Sequence, residues 1–224
     1  QVDNPLVDVC GQEFVGYHLL ADSEMSSQVI AKRDPLERVG NIVSVDGRLH
    51  VIEYSDLPED IARRRNSDGS LAIWAGSIAV HVFDVGFLCR VADRADALPF
   101  HHALKKVAHI DDAGRLVEPD RPNAVKFERF IFDLLPSARR AIVVEVDRAD
   151  AFAPLKNPSG DAADTPEMVR SCMIAQHARW LRRAGVEVAE GAAVEISPLY
   201  ALDPEELAQK IPGGTRVDGD TYFE

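Results

Sequence analysis

The sequence predicts an α/β protein with a mixed sheet, and three observations lead to this class. Runs rich in β-branched residues alternate along the chain with runs whose apolar residues recur at helical spacing. Asp46-Gly47 separates two β-rich runs, which predicts a hairpin and therefore an antiparallel pair of strands. The apolar run at residues 140–146 is typical of an inner strand that is covered on both faces.

The first half of the chain predicts one hairpin and three helices. Residues 39–45 and 48–54 form the two arms of the hairpin. A proline and two acidic residues at 58–60 start a helix that would run to residue 65. Apolar residues at mixed spacing predict a mostly buried helix over residues 78–92, and residues 99–106 form a second, shorter helix.

The second half predicts a further alternation of helices and one strand. Phe127, Phe130, Ile131 and Leu134 have helical spacing, and Pro136 would end their helix ahead of the strand at residues 140–146. Three features follow this strand along the chain. They are a helix from Thr165-Pro166 to Gly185, a short helix at residues 203–210, and a loose tail at residues 213–224.

Composition excludes several classes of partner. The 224 residues carry a net charge of −12, so we expect neither nucleic acid nor an anionic membrane surface as a partner. The sequence contains no apolar run of the ~18 residues that a membrane span requires. Cys10, Cys89 and Cys172 lie far apart, which favours a reducing cytoplasm over a disulfide framework or a structural zinc site.

Two isolated charged residues are candidates for ligand binding. Lys156 follows Pro154 on a loop just beyond the inner strand, and ligands of α/β proteins bind beyond the carboxyl ends of such strands. Glu53 ends a strand of alternating pattern, where its oxygens could accept hydrogen bonds from sugar hydroxyls. Each is equally compatible with an exposed surface residue. P-loop, GxGxxG, HExxH and GxSxG motifs are all absent.

Six short sequence strings occur along the chain in one order, and the ordered set is more specific to a protein family than any single string. The chain resembles the eukaryotic-type UDP-sugar pyrophosphorylases over about residues 1–200, with the N-acetylglucosamine enzymes more similar than the glucose enzymes. In chain order, the strings are QVDNPL, PLERVGNIVSVDGRLHVIEYSDLP, SDGSLAIWAGSIAVHVF, PFHHALKKV, RPNAVKFERFIFDLL and FAPLKN.

The resemblance implies a fold, a reaction and a set of site residues. The fold is a Rossmann-like, GT-A-like nucleotidyltransferase domain with a mixed sheet, followed by a small β domain. The reaction makes a UDP-sugar and pyrophosphate from UTP and a sugar 1-phosphate, with Mg²⁺. Asp3 matches the acidic residue near metal and phosphates, and Lys156 matches the lysine that contacts the sugar-nucleotide phosphate. Gly40 and Glu53 match residues at the sugar.

Two departures from the family pattern affect the sugar. The family has Ala-Gly-Asn where this chain reads Ala75-Gly76-Ser77. The resemblance therefore implies that Ser77, whose side chain is shorter, takes the sugar-contacting role of the family's asparagine. Ala124 stands where the family has glycine. A UDP-glucose or broad UDP-sugar pyrophosphorylase therefore remains an alternative to the N-acetylglucosamine enzyme.

The chain resembles the later part of such a catalytic domain. Residues 1–200 would hold its sugar-binding half, and residues 201–224 a tail or the start of the C-terminal domain. The sequence opens on Gln1 with no Met, and the family's glycine-rich triphosphate signature precedes the VDN motif, so we expect a fragment whose first strands lie upstream. Two further alternatives are a non-catalytic sugar-nucleotide-binding module and an α/β domain of other function.

Overall fold

A computed structural model describes residues 2–94 and 96–224 of the chain. They divide into two compact units, which differ from the predicted boundary at residue 200. The central unit comprises Gln12–Glu145, and the terminal unit comprises Gln1–Gly11 together with Val146–Glu224. None of the helices in the described residues is long and apolar enough to cross a membrane.

The central unit contains three α-helices, nine strands and a 3-10 helix among its described residues. The helices are α1 Gln12–Leu20, α2 Glu59–Ala62 and α3 Val85–Ala92, and the 3-10 helix is Ile131–Ser137. The strands are β1 Met25–Ala31, β2 Gly40–Val45, β3 Arg48–Ile52, β4 Ala75–Phe83, β5 His101–Lys105, β6 His109–Ile110, β7 Leu116–Val117, β8 Ala124–Glu128 and β9 Ala141–Glu145.

A five-stranded mixed sheet organises this unit, in the order β3-β2-β4-β1-β9. Within the described residues β9 is an edge strand and none of its residues is buried, so the predicted inner strand covered on both faces is wrong, because an apolar run indicates a strand but not its place in the sheet. β1 and β9 run parallel, and the other neighbouring pairs are antiparallel, which confirms the predicted α/β class with a mixed sheet. The predicted hairpin is β2–β3, where Asp46 and Gly47 have φ of 50° and 76°. Positive φ at both central residues is the type I′ geometry that matches strand twist.

The core of the central unit forms where the sheet meets α3 and the 3-10 helix. Its largest fully buried side chains include Met25 and Val29 of β1, Phe87 of α3 and Leu135 of the 3-10 helix. β1 is buried at six of its seven positions. A central strand covered on both faces needs apolar or hydrogen-bonded residues at every position, and this one meets the requirement.

Three predicted helices of the central unit are wrong, for two physical reasons. Residues 75–83 form β4 and only residues 85–92 are helical, because an apolar run buried on both faces has no period that separates strand from helix. The helix begins where the Asp84 side chain accepts a hydrogen bond from Phe87 N. Residues 101–105 and 124–128 are instead paired strands, since cross-strand contacts outweigh local spacing.

The 126–135 segment shows the second reason most directly. Phe127 packs across the β5–β8 ladder against His102, with ring centroids 5.0 Å apart, although the spacing of Phe127, Phe130 and Ile131 fits a helix. The helical part is the 3-10 turn at Ile131–Ser137, which contains Pro136 rather than ending before it. The predicted helix at residues 59–65 also stops early, at Ala62.

The terminal unit contains three helices and two short parallel strand pairs. They are α4 Arg148–Ala151, α5 Pro166–Arg183, α6 Pro204–Lys210, β10 Glu187–Val188 with β12 Arg216–Val217, and β11 Val194–Ile196 with β13 Thr221–Phe223. The predicted boundaries of α5 are confirmed. Thr165 accepts from Met168 N at its start, and Gly185 follows its end with φ 84°.

The predicted loose tail at residues 213–224 is wrong. These residues supply β12 and β13, and Val217 is only 2% exposed. Val217 completes a second core with Leu181, Val194 and Leu207, all fully buried. The sequence pattern missed these strands because strands of two or three residues carry almost no local signal. Their order comes instead from packing into the second core.

Candidate functional site

Gly40, Glu53 and Ser77 converge in the central unit. Gly40 opens β2, Glu53 directly follows β3, and Ser77 lies in β4 opposite Gly40. A Cβ atom built on Gly40 would lie 3.5 Å from Glu53 Oε1 and 3.7 Å from Ser77 Cβ. The same Cβ would lie only 2.6 Å from Val51 Cγ1, so the missing side chain makes room for Val51 and lets the Glu53 carboxylate and Ser77 lie close to the Gly40 backbone.

The backbone around these residues is held by turns. Glu53 O accepts from Asp56 N at 2.9 Å and from Leu57 N at 3.1 Å, so the chain turns sharply as β3 ends. Ser77 is 8% exposed, and its Oγ accepts from Ala79 N at 3.3 Å. Ala79 has φ 56° at an irregularity in the β1–β4 register, a conformation that costs a non-glycine residue about 1 kcal/mol.

A buried lysine and a buried asparagine form a hydrogen-bond network next to this cluster. Lys32 follows β1 and is 8% exposed, and its Nζ donates to Asn41 Oδ1 at 2.5 Å and to Pro35 O at 2.9 Å. Asn41 is 1% exposed and donates from Nδ2 to Val39 O and Ile52 O. We call this pair the Lys32–Asn41 brace.

The brace is adjacent to each residue of the cluster in sequence or in register. Asn41 follows Gly40, bonds to the residue before Glu53, and pairs in register with Gly76, the neighbour of Ser77. Burial lowers the pKa of Lys32 because the ammonium loses solvation, with Glu37 and Asp34 opposing this effect. A buried cation held by neutral acceptors is costly, so its hydrogen bonds constrain the local geometry strongly.

Sequence reasoning missed the brace, although a signal was present. Asn41 stands at a buried position of a mostly apolar segment, Val39 to Val45, where an unpaired amide would be unfavourable. Lys32 follows a strand that is buried at six of its seven positions. A polar residue at a core position predicts a buried partner, but the sequence does not say which residue that is.

Asp3 and the Lys156 loop meet in the terminal unit. Asp3 O accepts from Leu155 N at 2.7 Å. Next to it, buried Asn4 donates from Nδ2 to Ala151 O at 2.8 Å and accepts from Ala153 N at 2.9 Å. Two of these hydrogen bonds join the VDN and FAPLKN strings over about 150 residues of sequence, and the third reaches Ala151 just before FAPLKN. The predicted strand end at Asp3 is a series of turns.

The loop that carries Lys156 is closed on itself. The backbone N–H groups of Lys156 and Asn157 both donate to Asp164 O, at 3.0 and 3.1 Å, and Asn157 Nδ2 donates to Ala163 O at 2.8 Å. Ala153 and Pro154 are buried, whereas Lys156 is exposed. These hydrogen bonds hold the backbone of the loop, and the Lys156 side chain is accessible to solvent. Lys156 forms no ion pair within the described part of the chain.

No cluster of three or more His, Cys, Asp or Glu side chains that could hold a metal occurs in residues 2–94 and 96–224. Asp3 is half-buried and supplies one hard oxygen donor. Mg²⁺ in phosphate-transfer sites commonly takes one or two carboxylates, with the substrate's own phosphates and water completing the shell. A single anchored carboxylate fits that pattern.

The five predicted site residues thus fall into two groups. Gly40, Glu53 and Ser77 form one in the central unit, which we call the sugar cluster, and Asp3 with Lys156 form the other in the terminal unit, which we call the phosphate cluster. Each group combines the elements that its proposed ligand needs: carbonyl, carboxylate and hydroxyl acceptors for a sugar, and a cation for a phosphate.

Comparison with known proteins identifies the family. The family model described as UTP–glucose-1-phosphate uridylyltransferase matches residues 1–209. The chain belongs to this family, in agreement with the resemblance to UDP-sugar pyrophosphorylases.

Individual relatives agree with this assignment. The human UDP-N-acetylhexosamine pyrophosphorylase-like protein 1 is 38% identical over 204 residues, and the yeast UDP-N-acetylglucosamine pyrophosphorylase is 34% identical over 212. The matches cover 91% and 93% of this chain but 40% and 44% of those proteins, so the chain spans less than half of their length. A crystal structure from Entamoeba histolytica, assigned to the UDP-N-acetylglucosamine pyrophosphorylases, covers the whole chain with TM-score 0.88 and 27% identity; 55% of that structure is covered.

Proposed function

We propose that this chain provides the sugar-phosphate-binding part of a uridylyltransferase that makes UDP-N-acetylglucosamine and pyrophosphate from UTP and N-acetylglucosamine 1-phosphate. The observation that carries the proposal is the sugar cluster. Gly40, Glu53 and Ser77 are distant in sequence, and the Glu53 carboxylate and Ser77 both lie beside the Gly40 backbone. The relatives named above supply the substrate class.

The chemistry is a displacement at phosphorus without a covalent enzyme intermediate. A phosphate oxygen of the sugar 1-phosphate attacks the α-phosphorus of UTP, and the bond from that phosphorus to the bridging oxygen breaks as pyrophosphate leaves. Two anions must approach each other, so catalysis depends on positioning and on charge neutralisation. Lys156 is the cation we assign to the sugar-nucleotide phosphate.

The sugar cluster would bind and orient the hexose. Glu53 accepts hydrogen bonds from sugar hydroxyls, and Gly40 lets the ring lie directly against the backbone. Ser77 offers one hydroxyl beside them. When bound, Mg²⁺ would neutralise phosphate charge, and Asp3 is the residue we assign to hold it. The three free, exposed cysteines support placement in the reducing cytoplasm.

Ser77 favours one alternative within the same class. Its hydroxyl oxygen accepts a hydrogen bond from Ala79 N, and it lacks the carboxamide of the family's asparagine, so it offers fewer groups for recognition of an N-acetyl group. A UDP-glucose or broad UDP-sugar pyrophosphorylase is therefore the second candidate. Pyrophosphate release from UTP with glucose 1-phosphate and N-acetylglucosamine 1-phosphate, measured in parallel with Mg²⁺, separates the two.

The test begins with the intact mass of the natural protein and with calorimetric titration of the chain by UDP-N-acetylglucosamine. We expect binding by the chain and turnover by the natural protein if its mass exceeds 24.6 kDa. The proposal would be overturned if the chain bound neither UDP-N-acetylglucosamine nor UDP-glucose. Binding without turnover in a protein of 24.6 kDa would identify a non-catalytic sugar-nucleotide module instead.

Lys156→Ala tests the assigned cation. We expect turnover to fall about a hundredfold, since loss of a preorganised charge costs about 3 kcal/mol in the transition state. The fold should be unchanged, because Lys156 is exposed and its backbone N–H is retained. Lys106→Ala removes the same charge from another exposed lysine and should leave turnover unaffected. Equal rates for the two variants would refute the assignment.

A further inference from the structure

A cavity of about 680 Å³ in the central unit is lined by four arginines and a single carboxylate residue. Arg48 is the first residue of β3, Arg90 comes from α3, and Arg139 and Arg140 come from the segment leading into β9. The one acidic lining residue is Asp46. Such a group is notable in a chain whose net charge is −12, because random placement would favour carboxylates.

Two of the arginines are neutralised by residues behind them. Arg90 forms a two-pronged ion pair with Glu24, at 2.6 Å from each oxygen, and Arg140 pairs with Asp22. The hydrogen bond from Arg90 lowers the pKa of Glu24 to about 2, so that pair stays ionised at neutral pH. These pairs hold the wall of the cavity in place.

Arg48 and Arg139 are the two lining arginines without a direct ion pair in the described residues, although the Glu24 carboxylate also interacts electrostatically with Arg139. Neither has a carboxylate within ion-pair distance in residues 2–94 and 96–224. Arg48 Nη1 donates to Pro136 O at 2.7 Å, which leaves its other N–H groups available and orients the guanidinium. The Arg139 backbone N–H donates to Glu24 Oε2 at 2.7 Å, which fixes the start of that side chain. Both residues are exposed.

The cavity is separate from the sugar cluster. Gly40 and Glu53 lie at one end of the β2–β3 hairpin, and Asp46 to Leu49 line the cavity at the other end. Five residue steps of about 3.4 Å separate Gly40 from Val45, so the two places are roughly 17 Å apart. The arginines therefore do not belong to the site proposed above.

We propose that this cavity binds a small phosphorylated anion, with Arg48 and Arg139 as the recognising residues. Guanidinium groups bind phosphate oxygens through paired N–H donors, and a volume of this size is within the range of small-molecule sites. The ligand is small rather than an acidic peptide, because the charge is confined to one cavity rather than spread along a groove. The inference does not depend on the proposed catalytic function.

Calorimetric titration of the chain with inorganic phosphate and with pyrophosphate tests this site. We expect pyrophosphate to bind more tightly than phosphate, and Arg48→Gln and Arg139→Gln each to weaken that binding about tenfold. Arg64→Gln removes the same charge from an exposed arginine outside the cavity and should not change the affinity. Arg48→Lys should recover only part of the loss, since lysine cannot bind two oxygens in a planar fork.

Two controls make the result specific. The titration is repeated with Lys156→Ala, which distinguishes pyrophosphate bound at the phosphate cluster from pyrophosphate bound at the arginines. Thermal unfolding of each variant checks that it is folded. Equal pyrophosphate binding by the Arg48, Arg139 and Arg64 variants, or no binding by the unaltered chain at about 10 mM, overturns the proposal, as does binding of an oligoglutamate peptide without pyrophosphate.

Discussion

Gly40 is required at its position because it has no Cβ atom. A Cβ at this position would lie 2.6 Å from Val51 Cγ1 and close to Glu53 Oε1, so alanine would both displace a neighbour and occupy the sugar cluster. The φ angle is not in the left-handed region, since Gly40 is not among the positive-φ glycines. Space, rather than backbone freedom, is the requirement for glycine here.

Gly40→Ala should therefore weaken binding of UDP-N-acetylglucosamine more than tenfold while costing about 1–2 kcal/mol of stability through overpacking. Gly16→Ala is a matched control, because a Cβ there meets nothing within 4 Å and alanine favours the helix by about 1 kcal/mol. Calorimetry measures the binding and thermal unfolding the stability. Unchanged binding by the Gly40 variant would mean that the sugar lies elsewhere.

The residues of the candidate site could be named from the sequence, but only through the ordered strings. Lys156 and Glu53 by themselves are as compatible with surface positions as with a site. Their family context assigned the roles, and their convergence with Gly40 and Ser77 could not be read from spacing, because strand pairing brings together residues up to 37 positions apart.

At the scale of elements, the Lys32–Asn41 brace ties the end of β1 to the β2–β3 hairpin. Its hydrogen bonds join the residue after β1, the loop at Pro35 and Val39, and the last residue of β3. Buried polar networks of this kind stabilise one geometry because any other leaves a group unpaired. The brace thus acts on the sugar cluster without contacting a sugar.

Asn41→Leu should lower the free energy of unfolding by about 3 kcal/mol, because the buried ammonium then keeps only Pro35 O as an acceptor. Lys32→Met should cost less, about 1–2 kcal/mol, since it removes the buried charge and leaves only neutral acceptors, Asn41 Oδ1 and Pro35 O, without their donor. Urea unfolding, followed by Trp74 in a Trp180→Phe background, measures both. The double variant should cost less than the sum of the two, and strict additivity would argue against the brace.

The strands β12 and β13 make a second test at this scale. Val217 of β12 is 2% exposed in the second core, so Val217→Ala should lower the stability of the terminal unit by about 2 kcal/mol. Trp180 packs against that core and reports its unfolding in a Trp74→Phe background. Val9→Ala, at a position 80% exposed, should change stability by less than about 0.5 kcal/mol. If residues 213–224 were a loose tail, Val217→Ala and Val9→Ala would both leave the stability almost unchanged.

The whole molecule should lose stability on mild acidification, because histidines are buried in their neutral form. Burial lowers the pKa of His81 to about 4, and that of His177 is lowered for the same reason. The unfolded chain binds these protons near pH 6.5, before the folded chain does. Their stabilising contribution is thus complete above pH 6.5 and is lost as the pH falls toward 4.

His81 alone should account for about 3 kcal/mol of this loss by pH 4. His81→Gln keeps a group that can bond Ser27 Oγ but cannot be protonated, so it should flatten the profile between pH 6.5 and 4. His109→Gln, at an exposed position, is the control. The Glu24 contribution belongs to a lower window, from about pH 4.5 down to 2, and cannot be confused with it. A profile unchanged by His81→Gln would contradict this prediction.

The sequence by itself determined the α/β class, the β2–β3 hairpin, the presence of strand β9 but not its place in the sheet, the capped helix α5 and the family. Each rests on local signals: an Asp-Gly turn, a capping threonine, a continuous apolar run or an ordered set of strings. Tertiary structure alone decided that residues 75–83, 101–105 and 124–128 are strands, that residues 213–224 are ordered, and that Lys32 pairs with Asn41. These outcomes depend on hydrogen bonds and burial between residues far apart in the chain, and such pairings have no counterpart in local spacing.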